Sequence, residues 1–96
     1  MSLNHQLTKV IGGRTVTGVV QTDAQSVVQF DDGSRMTVKT TLSPTLGPLG
    51  KVTRVRQQHT TLNVDLDNDS TLQFTTVEPM ASVMVRDKNQ TLEYMD

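Results

Sequence analysis

The chain has 96 residues, room for one domain with one modest core and too few for two ordinary ones. It contains no cysteine, which excludes disulfides, thiolate zinc sites and thiol nucleophiles. A net charge of −1 gives no global field to draw in nucleic acid or acidic membrane, and an aromatic content of 3% leaves only Phe30, Phe74 and Tyr94 for any stacking platform or cation cage.

The N-terminal stretch MSLNHQLTKVIGG lacks the apolar run of a signal peptide, and no apolar run approaches the roughly 20 residues of a membrane span. A soluble, cytoplasmic protein with no membrane partner is expected. Residues 2–11 carry the one helical pattern, with Leu3, Leu7, Val10 and Ile11 on one stripe, Ser2 as N-cap and Gly12-Gly13 as the stop. From Arg14 onward the pattern changes to period two, rich in Val and Thr. In QSVVQFDDGSRMTVK, Val28, Phe30, Met36 and Val38 alternate with polar residues around Asp32-Gly33, which predicts a hairpin. A second hairpin is predicted in TTLNVDLDNDSTLQFTT, from Val64, Leu66, Leu72 and Phe74 around Asn68-Asp69.

Residues 16–40 align without gaps on residues 52–76 at an offset of 36, and eight of the 25 pairs are identical. Phe30/Leu66, Met36/Leu72 and Val38/Phe74 keep apolar character, and Asp32/Asn68 keeps turn chemistry. Each unit then reads as a three-stranded meander, too small to bury its own apolar face, so the two must share a core. The connecting stretch TLSPTLGPLG is broken by Pro44, Gly47, Pro48 and Gly50. Its Leu42, Leu46 and Leu49 either cover a barrel end or, exposed, form a partner-contact patch. A last hairpin follows, with Val83 and Val85 leading through Asp87–Gln90 to Leu92 and Tyr94.

These elements predict one all-β domain over residues 1–96, a small barrel-like or two-sheet fold of seven to eight short strands with a short N-terminal helix. The repeat units fall at residues 14–49 and 50–79, with a C-terminal hairpin at 80–96. The expected core is Val16, Val19, Val28, Phe30, Met36, Val38, Val52, Val55, Val64, Leu66, Leu72 and Phe74.

Candidate chemistry is sparse. Asp65, Asp67 and Asp69 match the start of a calcium loop, but the sixth and twelfth places hold Ser70 and Thr76 instead of Gly and Glu, so a solvated acidic edge is expected there. Arg54 and Arg56 alternate on one strand behind Lys51, a pattern that either grips phosphates or guards an edge strand. His5 and His59 have no nucleophile or metal partner in sequence, and glycine-rich phosphate loops, nucleophile elbows and metalloprotease spacings are missing. No catalytic residue, cofactor or metal is expected.

The segment GRTVTGVVQTDAQSVVQFDDGSRMTVKTTL resembles the small SH3-like barrels of Tudor, KOW and Sm-type proteins, and GKVTRV is similar to a KOW opening. A leading helix followed by IGGRTVTGVV resembles an Sm-type subunit, in which a short helix precedes a bent five-stranded sheet. The resemblance covers about residues 7–60 and is confined to the fold. A Tudor cage needs aromatics that this chain lacks. Asp23 stands near the first Sm-type loop, but Ala24-Gln25-Ser26 follow it and no Arg-Gly occurs. The expected function is a non-catalytic protein-interaction or assembly module. Its first partner is a second copy, most simply as a dimer, through the C-terminal strand edge or the leucine-bearing loop. The alternative is a nucleic-acid-binding small barrel using Lys51, Arg54 and Arg56, and a small-ligand binder comes third because so short a chain has little room for a cavity.

Overall fold

The computed structural model describes residues 2–40, 44–78 and 82–96. Among these residues the elements run β1 (Ser2–Leu3), α1 (His5–Ile11), β2 (Val16–Gln21), β3 (Gln25–Phe30), β4 (Arg35–Lys39), β5 (Val52–Gln58), β6 (Thr61–Leu66), β7 (Thr71–Thr75), β8 (Val83–Arg86) and β9 (Leu92–Met95). They form two antiparallel sheets, one ordered β1-β5-β6-β7 and the other β2-β3-β4-β8-β9. The all-β expectation holds, with one more strand than the pattern predicts. Period two cannot announce β1, which is only two residues long.

The repeat is written into the hydrogen-bond register. Val16 pairs with Phe30 and Val19 with Val28, while Val52 pairs with Leu66 and Val55 with Val64, each match displaced by the same 36 positions. A bulge interrupts β2 between Val16 and Gly18, and its counterpart interrupts β5 between Val52 and Arg54. The β3–β4 and β6–β7 pairings also repeat, with Val28 opposite Met36 and Val64 opposite Leu72. Between the units, Thr15 bridges Lys51 and Thr40 bridges Thr76. In both bridges a residue meets its own counterpart, which is the signature of an isologous two-fold contact. The backbone confirms the symmetry: the Val16 N–H donates to Gly50 O at 2.9 Å, and the Val52 N–H donates to Arg14 O at 2.8 Å.

The N-terminus departs from expectation. The helix starts at His5 and its N-cap is Asn4, whose Oδ1 accepts the Leu7 N–H at 3.0 Å. Ser2, the expected cap, lies in β1, opposite Gln57 of β5. Strand β5 is therefore an inner strand of its sheet, so Arg54 and Arg56 do not guard an edge. Helix α1 packs against β5 and touches β9.

The core is one cluster drawn from both units, α1 and β8. Every expected core residue is buried except Val19, which is only partly covered. Leu7, Ile11, Leu62, Val83 and Val85 join the cluster. Burying an aliphatic or aromatic side chain of this size contributes about 1.5–3 kcal/mol, which is why a seven-residue helix persists here. No helix among the described residues is long and apolar enough to cross a membrane.

Candidate functional site

A two-residue loop, His59-Thr60, joins the paired residues Gln58 and Thr61, with His59 in the left-handed region at φ +51°. That turn fixes the hairpin register, and the register sets Arg54 opposite Asp65 on the outer face of the sheet. Arg54 Nε donates to Asp65 Oδ2 at 2.7 Å, and Arg56 donates through Nε to Oδ2 and through Nη2 to Oδ1, both at 2.8 Å. Thr71 Oγ1 adds a fourth bond, to Oδ1, at 2.8 Å. Asp65 is only 8% exposed. Burial pushes its carboxyl up, but the bonds from Arg56, Arg54 and Thr71 outweigh that and lower it to about 2.

The two candidate phosphate-gripping arginines are thus turned onto a carboxylate. The surrounding groove, about 570 Å³, is also lined by Asp67 and Asp69, so its carboxylates outnumber its guanidiniums. Lys51 is exposed, and its backbone N–H donates to Asp67 Oδ1 at 3.1 Å. Asp65, Asp67 and Asp69 do not converge: among the described residues no cluster of three His, Asp or Glu side chains is placed to hold a metal ion.

The same groove exists in the first unit, smaller at about 230 Å³, lined by Thr17, Gln29, Phe30, Gly33, Ser34 and Arg35. Each is the 36-residue counterpart of a residue lining the larger groove. Turn chemistry is shared as well, since the N–H and Oγ of Ser34 donate to Asp32 Oδ1 as those of Ser70 do to Asn68 Oδ1. The ion cluster is not shared, because Gly18, Val20 and Gln29 stand where Arg54, Arg56 and Asp65 stand in the second unit.

The leucine-bearing loop lies along the β7 edge. Thr45 and Gln73 exchange backbone hydrogen bonds at 2.9 Å in both directions. Pro48 O accepts from Ser70 Oγ at 2.7 Å, and Leu49 O accepts from Asn68 Nδ2 at 3.1 Å. The backbone is tied at four points, yet Leu46 is 45% and Leu49 41% exposed, so neither seals a barrel end. Leu42 lies outside the described residues.

Comparison with protein-family models, curated proteins and solved structures gives no match.

A second exposed apolar feature escaped the sequence reading. On the outer face of the β4-β8-β9 sheet a shallow trough of about 690 Å³ is lined by Thr37, Lys39, Met84, Met95 and Asp96, with Met84 directly opposite Met95. Strict alternation from Val83 and Val85 puts Met84 on the outer face, and that is the signal that identifies it. Near the β9 edge, Arg14 grips Glu93 through Nη1 to Oε1 at 2.9 Å and Nη2 to Oε2 at 2.8 Å, while Nη1 also donates to Ser34 Oγ at 2.9 Å. His5 opens α1 and His59 holds its turn, both exposed.

Proposed function

We propose that the protein is a non-catalytic protein-interaction or assembly module, working in the cytoplasm and associating first with a second copy of itself. The observation that carries this reading is the tethered loop of residues 44–50, which holds Leu46 and Leu49 exposed on a backbone fixed by Gln73, Asn68 and Ser70. An apolar pair held in place is poor solvent-facing material and good contact material. The methionine trough adds adaptable apolar area on another face. The likeness to SH3-like barrels of the Tudor, KOW and Sm type belongs to the same proposal, supported by a short helix ahead of bulged antiparallel strands.

Light scattering at about 100 μM protein tests it. A dimer mass that falls to the monomer value in Leu46→Ser/Leu49→Ser, with unchanged thermal melting, supports the module. A monomeric mass unaffected by the double substitution removes self-association. Nucleic-acid binding through Lys51, Arg54 and Arg56 has weaker support, because Asp65 engages both guanidiniums. Tight oligonucleotide binding at low salt that weakens steeply as salt rises would reverse that order.

A further inference from the structure

The two units are dressed differently at one place, the outer edge of their first strands. On the second unit the outer edge of β5 is fully occupied by the chain's own N-terminus. The Asn4 N–H donates to Val55 O at 2.8 Å, the Val55 N–H donates to Thr8 Oγ1 at 2.9 Å, and the Gly13 N–H donates to Val52 O at 2.8 Å. Asn4 Nδ2 reaches Gln57 Oε1 at 2.9 Å, and Leu3 pairs with Arg56. Under this cover Val55 is 0% exposed.

On the first unit the corresponding edge belongs to β2. Three of the four β5 residues that receive the N-terminus have identical counterparts there: Val16 for Val52, Val19 for Val55 and Gln21 for Gln57. The shared register turns the N–H and C=O of Val19 and Gln21 away from β3, and no strand among the described residues pairs with them. Val19 is left partly exposed and Val20 is 47% exposed. The strand, VTGVVQ, has neither charge nor proline, the usual guards of a free edge. At the other end of the same sheet, β9 is approached by Arg14 through Glu93 and by Asn4 through Tyr94.

We propose that the outer edge of β2 is a strand-accepting site for a segment of another protein, of the chemistry that β1 and α1 present to β5; this rests on the reading of the chain as an interaction module. The segment adds antiparallel to β2, sets an apolar residue opposite Val20 where Leu3 stands opposite Arg56, donates a backbone N–H to Val19 O, and offers a hydroxyl from an ensuing helical turn to the Val19 N–H. Main-chain pairing supplies affinity and the Val20 contact supplies selectivity.

The probe is a synthetic peptide of residues 1–13 titrated into the intact isotope-labelled protein, read by amide chemical shifts. Saturable changes at Val19, Val20 and Gln21 are expected, with binding weakened about five-fold by Thr8→Val in the peptide, the effect of one neutral hydrogen bond. Val19→Pro in the protein removes the outward N–H without removing a β2–β3 bond and should abolish the changes. Should that variant misfold, Val20→Lys places a charge against the apolar residue and should weaken binding at least ten-fold. Silence at β2 up to millimolar peptide overturns the proposal. So do changes confined to Val52–Gln57, which mean displacement of the resident segment, or β2 changes that persist in Val20→Lys. Loss of self-association through Leu46 and Leu49 leaves these shifts untouched, so the two readings fail separately.

Discussion

Asp65 gives the fold a pH dependence whose sign follows from its neighbours. Its carboxyl is held at about 2 instead of 3.8, so the native state favours the carboxylate and binds fewer protons than the unfolded chain between these values. That stability is present in full above the ordinary carboxylate range and is lost as pH falls from about 4 through about 2, a loss of about 2 kcal/mol. Asp32, lowered chiefly by the Ser34 hydroxyl, adds in the same direction. Urea melts at pH 7, 4 and 2.5 should show Asp65→Asn less stable by about 1–3 kcal/mol at pH 7 and much flatter below pH 4; parallel curves for the two proteins would assign the acid loss elsewhere. The cluster was legible in principle, because a two-residue turn at His59-Thr60 sets Arg54 against Asp65. Without that register the alternation of Arg54 and Arg56 leaves phosphate gripping and edge guarding both open, because nothing else in the pattern sets a carboxylate against them. The turn after β3 offers a second comparison of equivalent residues. Gly33 sits at φ +86° and its counterpart Asp69 at φ +65°, both left-handed. A Cβ on Gly33 would also stand 2.9 Å from the Lys88 Cβ. Gly33→Ala should cost about 1–3 kcal/mol, and Asp69→Gly should be neutral or stabilising by up to about 1 kcal/mol. Equal losses in both would show that the left-handed conformation is not what separates the two turns.

Among the elements, β2 to β9 and the short N-terminal helix were readable, and the helix start and the two-residue β1 were not. Alternation and the 36-residue offset set the pairing of β2 to β7, since a one-residue slip would turn every apolar side chain outward. Val19 misled because the burial of its counterpart Val55 comes from α1, an element with no repeat partner. The repeat does not mark Leu62 as core, because its counterpart is Ser26, itself buried with its hydroxyl on Gln21 Oε1. The helix start depends on Asn4, one side chain with three duties. It caps Leu7, donates to Gln57 Oε1 at 2.9 Å, and donates to Tyr94 OH at 3.2 Å, tying α1 to β5 and β9. Asn4→Ala should therefore cost about 1–3 kcal/mol, more than an isolated cap. Asn4→Asp keeps the acceptor and loses the donors, so it should fall between wild type and alanine. Thermal melts order the three proteins, and equal melting of the aspartate and wild-type forms would show that only the cap matters.

For the molecule as a whole, the shared core decides whether the two units are independent. Phe30 and Val38 of the first unit belong to the same cluster as Leu66 and Phe74 of the second, and the exchange of large and small between these counterparts keeps the volume while breaking the symmetry. Each meander alone would expose its apolar face, and the bridges Thr15–Lys51 and Thr40–Thr76 join the units through backbone. Unfolding should then be a single transition. Phe74, fully buried, is the strongest lever on it: Phe74→Ala should cost about 3–5 kcal/mol, a large part of a small domain's stability. The decisive observation is where that loss appears. Amide exchange should accelerate to the same extent at Val28 and Met36, in the unit that does not contain the substitution, as at Val64 and Leu72, because no core of its own is left to hold the first unit together. Slow exchange surviving at Val28 and Met36 while Val64 and Leu72 open would show two separable folding units, and would make the symmetry a matter of shape without shared stability.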